Sequence, residues 1–387
     1  MNAAPISSVE MVCRLVGFDT TSRGSNLALI EFVRDYLERL GVASELVFDE
    51  TGNKANLYAT VGPAETGGIM LSGHTDVVPV DGQDWHSDPF NVLARDERLF
   101  GRGTADMKSF IAVVLALLPN IAARPLRTPI HLAFSYDEEV GCRGARRLVA
   151  AIGRRPDRPR LCIVGEPTMM QPVTGHKGKR SYRCQVHGFE CHSALTHLGV
   201  NAIEAAAEMV ALLSAMARKK REFGPFDPDF TPSYTTIQTG VIHGGTALNI
   251  VPKECSFDFE FRLLPGDNPE AGIAELRAFA EQQLLPDMRA VRPEAAIAFE
   301  ELSAFPGLAT PDDAEITRLV ASLTGANGTG KVAFGTEGGL FQQAGIQTIV
   351  CGPGSIEQAH KPDEFIDLDQ IAQCEKFIGR LFASVVA

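Results

Sequence analysis

The apolar runs in the first half of the sequence stop on ionisable side chains. GIMLSGHTDVV carries His74 and Asp76, IHLAFSYD leads into Asp137, Glu138 and Glu139, and RLCIVGEP closes on Glu166. Short apolar runs rich in β-branched and aromatic residues read as buried strands. With ANLYATVG before them and the helical stretch DMKSFIAVVLALLPNIA between the second and third, they predict an α/β layer around a largely buried sheet. Ligands of such sheets gather beyond the strand ends, where these residues lie. Adjacent carboxylates repel one another more strongly as water is removed. Asp137-Glu138-Glu139 is therefore either a solvated turn or one side of a cation site.

At 387 residues the chain exceeds one ordinary core, which predicts two domains or one domain carrying an insertion. Hydrophobic residues at 45% and charged residues at 22% are ordinary globular composition. No run approaches the roughly 18 to 20 apolar residues of a membrane-spanning helix. The opening MNAAPISSVEMVCRLVGF lacks a basic stretch followed by an apolar one, so a cytosolic protein is expected. The eight cysteines contain no CxxC pair and read as small buried apolar residues. A net charge of -12, with ARKKRE as the one short basic tract, argues against nucleic acid as a partner.

VEMVCRLVGF and LALIEFVRDYLERLG open the chain with two helices, the second ending at Gly41. From about residue 178 the texture changes. RSYRCQVHG, GVNAIEAAAEMVALLSAMARK, SYTTIQTGVIHGG, ECSFDFEFRLL, PEAGIAELRAFAEQQLLP and AAIAFEELS follow as strand, helix, strand, strand, helix and strand. This βαββαβ order is that of a ferredoxin-like unit. After about 303 the α/β pattern resumes with DDAEITRLVASL and QTIVCGPG, so the first domain is discontinuous, 1–177 and 303–387, around an insert at 178–302.

His74 and Asp76 stand two apart, which on a strand aims both to one face and offers the histidine a carboxylate to orient it. Asp106 lies in GRGTADMKS before the buried helix, and His360 lies in QAHKPDE after the last strand. The candidate ligands outnumber the positions of a single tetrahedral zinc, whereas two metals sharing one carboxylate accommodate them. Nitrogen and oxygen donors without thiolate favour zinc, with cobalt or manganese as substitutes. One other motif carries no such chemistry. GANGTGKV nearly spells a phosphate loop, but Val332 stands where Ser or Thr is needed, and no GxSxG elbow is present.

SGHTDVVP, GRGTADMK, DEEVGC, GEPT and AHKPDE together resemble the ordered signature blocks of the two-zinc amidohydrolases that include acetylornithine deacetylase, succinyl-diaminopimelate desuccinylase, aminoacylase and glutamate carboxypeptidase. The resemblance spans about residues 70 to 365 and takes in the insert through VHGFECHSALTHLGVNAIE and HGGTALNIVPKECSFDFEFR. It implies a zinc-peptidase-like α/β catalytic domain with an inserted ferredoxin-like dimerisation domain, and a homodimer. It implies His74 and Glu166 on one zinc, Glu139 and His360 on the other, Asp106 bridging, Asp76 orienting His74, and Glu138 as general base. His192, or His197 as the competing choice, would stabilise the oxyanion in the active site of a second copy of the chain.

Asn249 and Arg262 are further substrate-binding candidates, Arg262 through a bidentate contact to a carboxylate. Chains of this family that act on acetylornithine often carry Thr-Glu where TEGGLF places Glu337, which implies a partner for the substrate's δ-ammonium; a helix cap is the alternative. The expected activity is removal of an N-acyl group from an amino acid, N-acetylornithine first, with a desuccinylase or dipeptidase next. A silent metal-binding scaffold is the reading from another class.

Overall fold

Strands buried on both faces need helices on both sides of the sheet, and the chain supplies them. The computed structural model describes residues 6–63 and 67–387; the first five residues, part of the stretch read for a leader, and residues 64–66 lie outside the described residues. The chain divides into two compact units, Met1–Gly175 with Leu308–Lys331 and Thr336–Ala387, and His176–Gly307 with Val332–Gly335.

The first unit is built on a nine-stranded mixed sheet. Its centre is β6 (Ile130–Ser135), β3 (Ile69–His74), β7 (Leu161–Pro167) and β15 (Gln347–Gly352), mutually parallel and almost wholly buried. β2 (Ala55–Val61) and β1 (Ser44–Phe48) extend one side antiparallel; β8 (Val173–His176), β13 (Leu308–Ala309) and β14 (Gly330–Val332) extend the other. The helix Lys108–Leu117 is buried along most of its length and packs between β3, the helix Ser8–Val16 and the helix Leu368–Val385. Gly165 makes that approach possible, since a Cβ there would sit 2.0 Å from the Phe110 ring. The helices Arg143–Ile152 and Gly338–Gln343 pack against each other, the former also against β2. A small sheet of β4 (Leu93–Arg95), β5 (Arg98–Phe100) and β16 (Phe365–Asp367) completes the unit.

The inserted unit has the strand order β12 (Ala296–Phe305), β9 (Gly178–His187), β11 (Glu254–Leu263), β10 (Thr236–Gly244), antiparallel throughout. In terms of its own βαββαβ sequence this is the order 4-1-3-2 of a ferredoxin-like sheet. Tyr182, Cys184 and Val186 alternate on β9, and Cys255, Phe257, Phe259 and Phe261 on β11. The resulting apolar face packs on the helices Ala202–Phe223 and Ala271–Phe279, through residues such as Met209, Leu213, Ile273 and Leu276.

Candidate metal centre

Parallel strands put their carboxyl ends on one edge of the sheet, and the ionisable residues collect there. His74 is the last residue of β3, Glu138 and Glu139 follow β6, Glu166 lies at the end of β7, and His360 lies beyond β15. Asp106 arrives on the turn before the helix Lys108–Leu117 and presents one oxygen to each histidine. Its Oδ1 is 2.9 Å from His74 Nε2, and its Oδ2 is 3.4 Å from His360 Nε2. Glu166 Oε1 lies 3.6 Å from His74 Nε2, and Glu139 Oε2 lies 3.0 Å from His360 Nε2. Donor atoms of His74, Asp106 and Glu139 fall within 4.8 Å of one another, as do those of His74, Glu138 and Glu166.

Crowding perturbs every member. Burial and then Glu166 push Glu138 well above the ordinary carboxyl range, and burial with Asp106 raises Glu139. Burial, followed by the charge of Asp106, pushes Glu166 up to about 8. Burial opposes charge on His74, yet Glu166 and Asp106 outweigh it and hold the imidazole well above its usual pKa. Hydrogen bonds to Asp106 and Glu139 raise His360 to about 10. Burial works against an ionised Asp106, but bonds from both histidines hold it low. Four carboxyl groups gathered around two imidazoles are short of positive charge, the condition a divalent cation relieves. The oxygen and imidazole donors suit such a cation, and Cys142, which burial keeps far above the thiol range, remains a neutral neighbour.

The acidic triplet is handled residue by residue. Asp137, at φ 55°, pairs with Lys54 Nζ at 2.5 Å and so is turned away from the cluster. Glu138 accepts a hydrogen bond from the Cys142 thiol at 3.3 Å, and Glu139 meets His360. Asp76 differs from expectation. β3 ends at His74, so the strand alternation no longer governs Asp76, and its backbone carbonyl makes the close contact, 2.9 Å from His74 Nδ1. Its carboxylate, 3.7 Å from that nitrogen, instead accepts the backbone N–H groups of Glu138 and Glu139 and the Ser22 hydroxyl. Asp76 thus touches the His74 ring through its carbonyl and ties the acidic turn together through its carboxylate. Lys54 and Ser22 had no signal in the sequence, because each meets the site only through tertiary packing; Cys142, four positions after Glu138, closes the DEEVGC block.

Glu337, expected as a partner for a substrate ammonium, meets two serines. It is fully buried at the start of the helix Gly338–Gln343, and its two oxygens accept the hydroxyls of Ser72 at 2.5 Å and Ser135 at 2.7 Å. Each oxygen thus already accepts one serine hydroxyl inside the protein. In the inserted unit, His192 and Asn249 stand together, Ser193 donating its N–H to the Asn249 carbonyl at 3.1 Å beside the bridge between His192 and Ile250. His192 Nδ1 accepts the Ala194 N–H at 3.0 Å, which leaves Nε2 as the donor of the neutral ring. His197 is exposed on the short helix Ser193–Leu198. Arg262 lies near the end of β11 and donates to Glu260 at 3.1 Å.

The profile of Peptidase family M20/M25/M40 matches residues 70–384. The acetylornithine deacetylase of Proteus mirabilis (strain HI4320) is 37% identical over 366 residues, covering 94% of this chain and 91% of that protein. Among solved structures, the M20 family metallo-carboxypeptidase Sso-CP2 of Sulfolobus solfataricus superposes with a TM-score of 0.74 at 17% identity, over 97% of this chain and 98% of that one. A dinuclear metal-binding peptidase of the M20 family from Bacillus subtilis gives 0.65 at 15% identity, over 98% and 97%.

Proposed function

The chain belongs to Peptidase family M20/M25/M40 and is a metal-dependent amidohydrolase; from that premise we propose that it hydrolyses N2-acetyl-L-ornithine to L-ornithine and acetate. The observation that carries the substrate is the 37% identity, over nearly the whole chain, to a protein named for that reaction. On this reading the enzyme serves arginine biosynthesis in the cytoplasm. Among the described residues no helix is long and apolar enough to cross a membrane.

His74 and Glu166 would hold one cation, Glu139 and His360 the other, with Asp106 shared between them; zinc suits the donors best, then cobalt. When bound, the pair supplies positive charge that polarises the amide carbonyl and makes water acidic enough to attack near neutral pH. Glu138 takes the proton of the attacking water and returns it to the leaving amine. Asp76 keeps Glu138 and Glu139 in place through their backbone N–H groups. In a homodimer formed through the inserted unit, His192 of a second copy offers its Nε2–H to the oxyanion, a role its engaged Nδ1 favours over His197. Asn249, beside His192, is the second substrate contact proposed. The breadth of the family supports a peptidase as the second reading, with the desuccinylase reaction beside it.

A panel of N-acetylornithine, N-acetylmethionine, N-succinyl-diaminopimelate and dipeptides, assayed after loading with zinc or cobalt, tests the proposal. Acetylornithine should give the highest kcat/KM. A dipeptide or the succinyl compound above it would replace the substrate while leaving the amidohydrolase reading intact.

A further inference from the structure

Asp106 and His360 reach the centre on two separate loops, both turn rather than helix or strand at these residues. One buried side chain ties the loops together. Glu364, 1% exposed, follows His360 by four positions and stands 258 positions from Asp106. Its Oε1 accepts the backbone N–H groups of Gly103 at 3.1 Å, Ala105 at 2.8 Å and Asp106 at 3.1 Å. Its Oε2 accepts Arg102 Nη1 at 2.6 Å, and Arg102 is as deeply buried. Arg102 Nη2 donates to Gln83 Oε1 at 2.6 Å, and Gln83 Nε2 donates to the His360 carbonyl at 2.9 Å. Trp85 gives its indole N–H to the same Gln83 oxygen at 3.0 Å and lies 5.1 Å from the Arg102 guanidinium. The bonds form a ring that runs from Asp106 through Glu364, Arg102 and Gln83 to His360, and back along the chain to Glu364.

Stability alone does not explain this ring. A buried ion pair gives up so much hydration that apolar residues of similar volume often serve as well or better. The same loop also carries His360 at φ 63° and Asp363 at φ 54°, left-handed backbone that non-glycine residues rarely adopt. Such conformations persist where surrounding structure over-determines them, and they cluster at functional sites. His86 adds to that restraint, giving its backbone N–H to Asp363 Oδ1 at 3.0 Å and pairing its Nδ1 with Oδ2 at 2.5 Å.

We propose that Glu364 is a positioning residue which, with Arg102 and Gln83, sets the separation of Asp106 and His360 and thereby the affinity for the cation these two side chains share. The inference rests on the ligand assignment proposed above. Groups that orient metal ligands through hydrogen bonds typically change metal affinity by about 10- to 100-fold when removed.

The test is titration of zinc into the full-length apoprotein against a chromophoric chelator, with melting temperature measured in parallel. Glu364→Gln and the double variant Arg102→Gln/Glu364→Gln should each weaken at least one zinc site by about 10- to 100-fold. Gln83→Ala, which leaves the buried pair in place, should weaken it by a smaller factor. Leu381→Ala, in the core of the same unit, controls for lowered stability and should bind zinc as the parent does. Parental zinc affinity in any folded ring variant overturns the proposal, and so does an equal loss in Leu381→Ala at matched melting temperature. Fewer than two zinc equivalents in the parent protein would instead overturn the ligand assignment, which keeps the two failures apart.

Discussion

The inserted unit hides Tyr182, Cys184, Val186, Phe257, Phe259 and Phe261 on one face of four antiparallel strands, whereas the strands of the first unit run into His74, Glu138, Glu139 and Glu166. Backbone conformation follows the same division. The described non-glycine residues with left-handed φ are Asp96, Glu97, Asp137, Cys142, Met169, Met170, His360 and Asp363, and all belong to the first unit. In the inserted unit, strand alternation, helix periodicity and core composition agree with one another, the consistency that specifies a single fold. In the first unit the apolar pattern builds the sheet, and the departures from it gather at one edge. Four of the left-handed residues, Asp137, Cys142, His360 and Asp363, lie on the two loops that carry Glu138, Glu139 and His360, whereas Asp96 and Glu97 only turn the β4–β5 hairpin.

The largest effect should come from removing the metal. Prolonged chelation should abolish hydrolysis, zinc or cobalt should restore it, and amide hydrogen exchange should quicken around β3, β6 and β7 but not around β9 to β12. Equal quickening in both units would erase the contrast. Next, Glu138→Gln should lower kcat by about 100- to 10,000-fold while the bound metal stays at the parental level. A parallel loss of metal would make Glu138 a ligand, a possibility raised by its place beside His74 and Glu166.

Phe259→Ala should act in the opposite way. Truncating this core side chain should lower stability by about 3 to 5 kcal/mol, measured by urea denaturation, without changing the metal content of folded protein. A change in metal content would show that the inserted unit's core is not independent of the centre.

Acid should weaken both units through buried neutral histidines. Burial lowers His131 of the first unit and His176 of the inserted unit to about 4, below the unfolded value near 6.5. Between these values the unfolded chain binds more protons, so stability falls as pH drops from about 6.5 toward 4, by up to about 3 kcal/mol for each histidine. Urea titrations at pH 7 and pH 5 should show a smaller pH dependence in His131→Gln than in the parent; an unchanged dependence would count against His131 as a source.

The smallest effect should be that of Glu337→Gln. With both oxygens bound to serine hydroxyls, the substitution should cost about 1 to 3 kcal/mol of stability. It should leave the kcat/KM ratio between acetylornithine and N-acetylmethionine within about twofold of the parent. A selective loss on acetylornithine would return Glu337 to the substrate.

Much of this was legible along the chain. The βαββαβ order of the insert, the buried strands and the helix at Lys108–Leu117 follow from apolar periodicity, which reports local backbone geometry. The helix Arg143–Ile152 went unread because the acidic turn before it hides its start; no side chain caps it, and Cys142 precedes it at φ 54°. Small elements such as β4, β5 and β16 carry too few residues to show a period.

The sequence by itself determined which ionisable residues stand at the ends of which strands, because strand and helix periods are properties of neighbouring residues. Only the tertiary structure decided how each is engaged. It paired Asp137 with Lys54, turned the Asp76 carboxylate onto the backbone of the acidic turn, sank Glu337 between Ser72 and Ser135, and closed Glu364 over the Asp106 loop. Those partners lie tens to hundreds of positions apart. Their meeting depends on sheet order and loop path, and a charged side chain in sequence carries no mark of which buried partner will satisfy it.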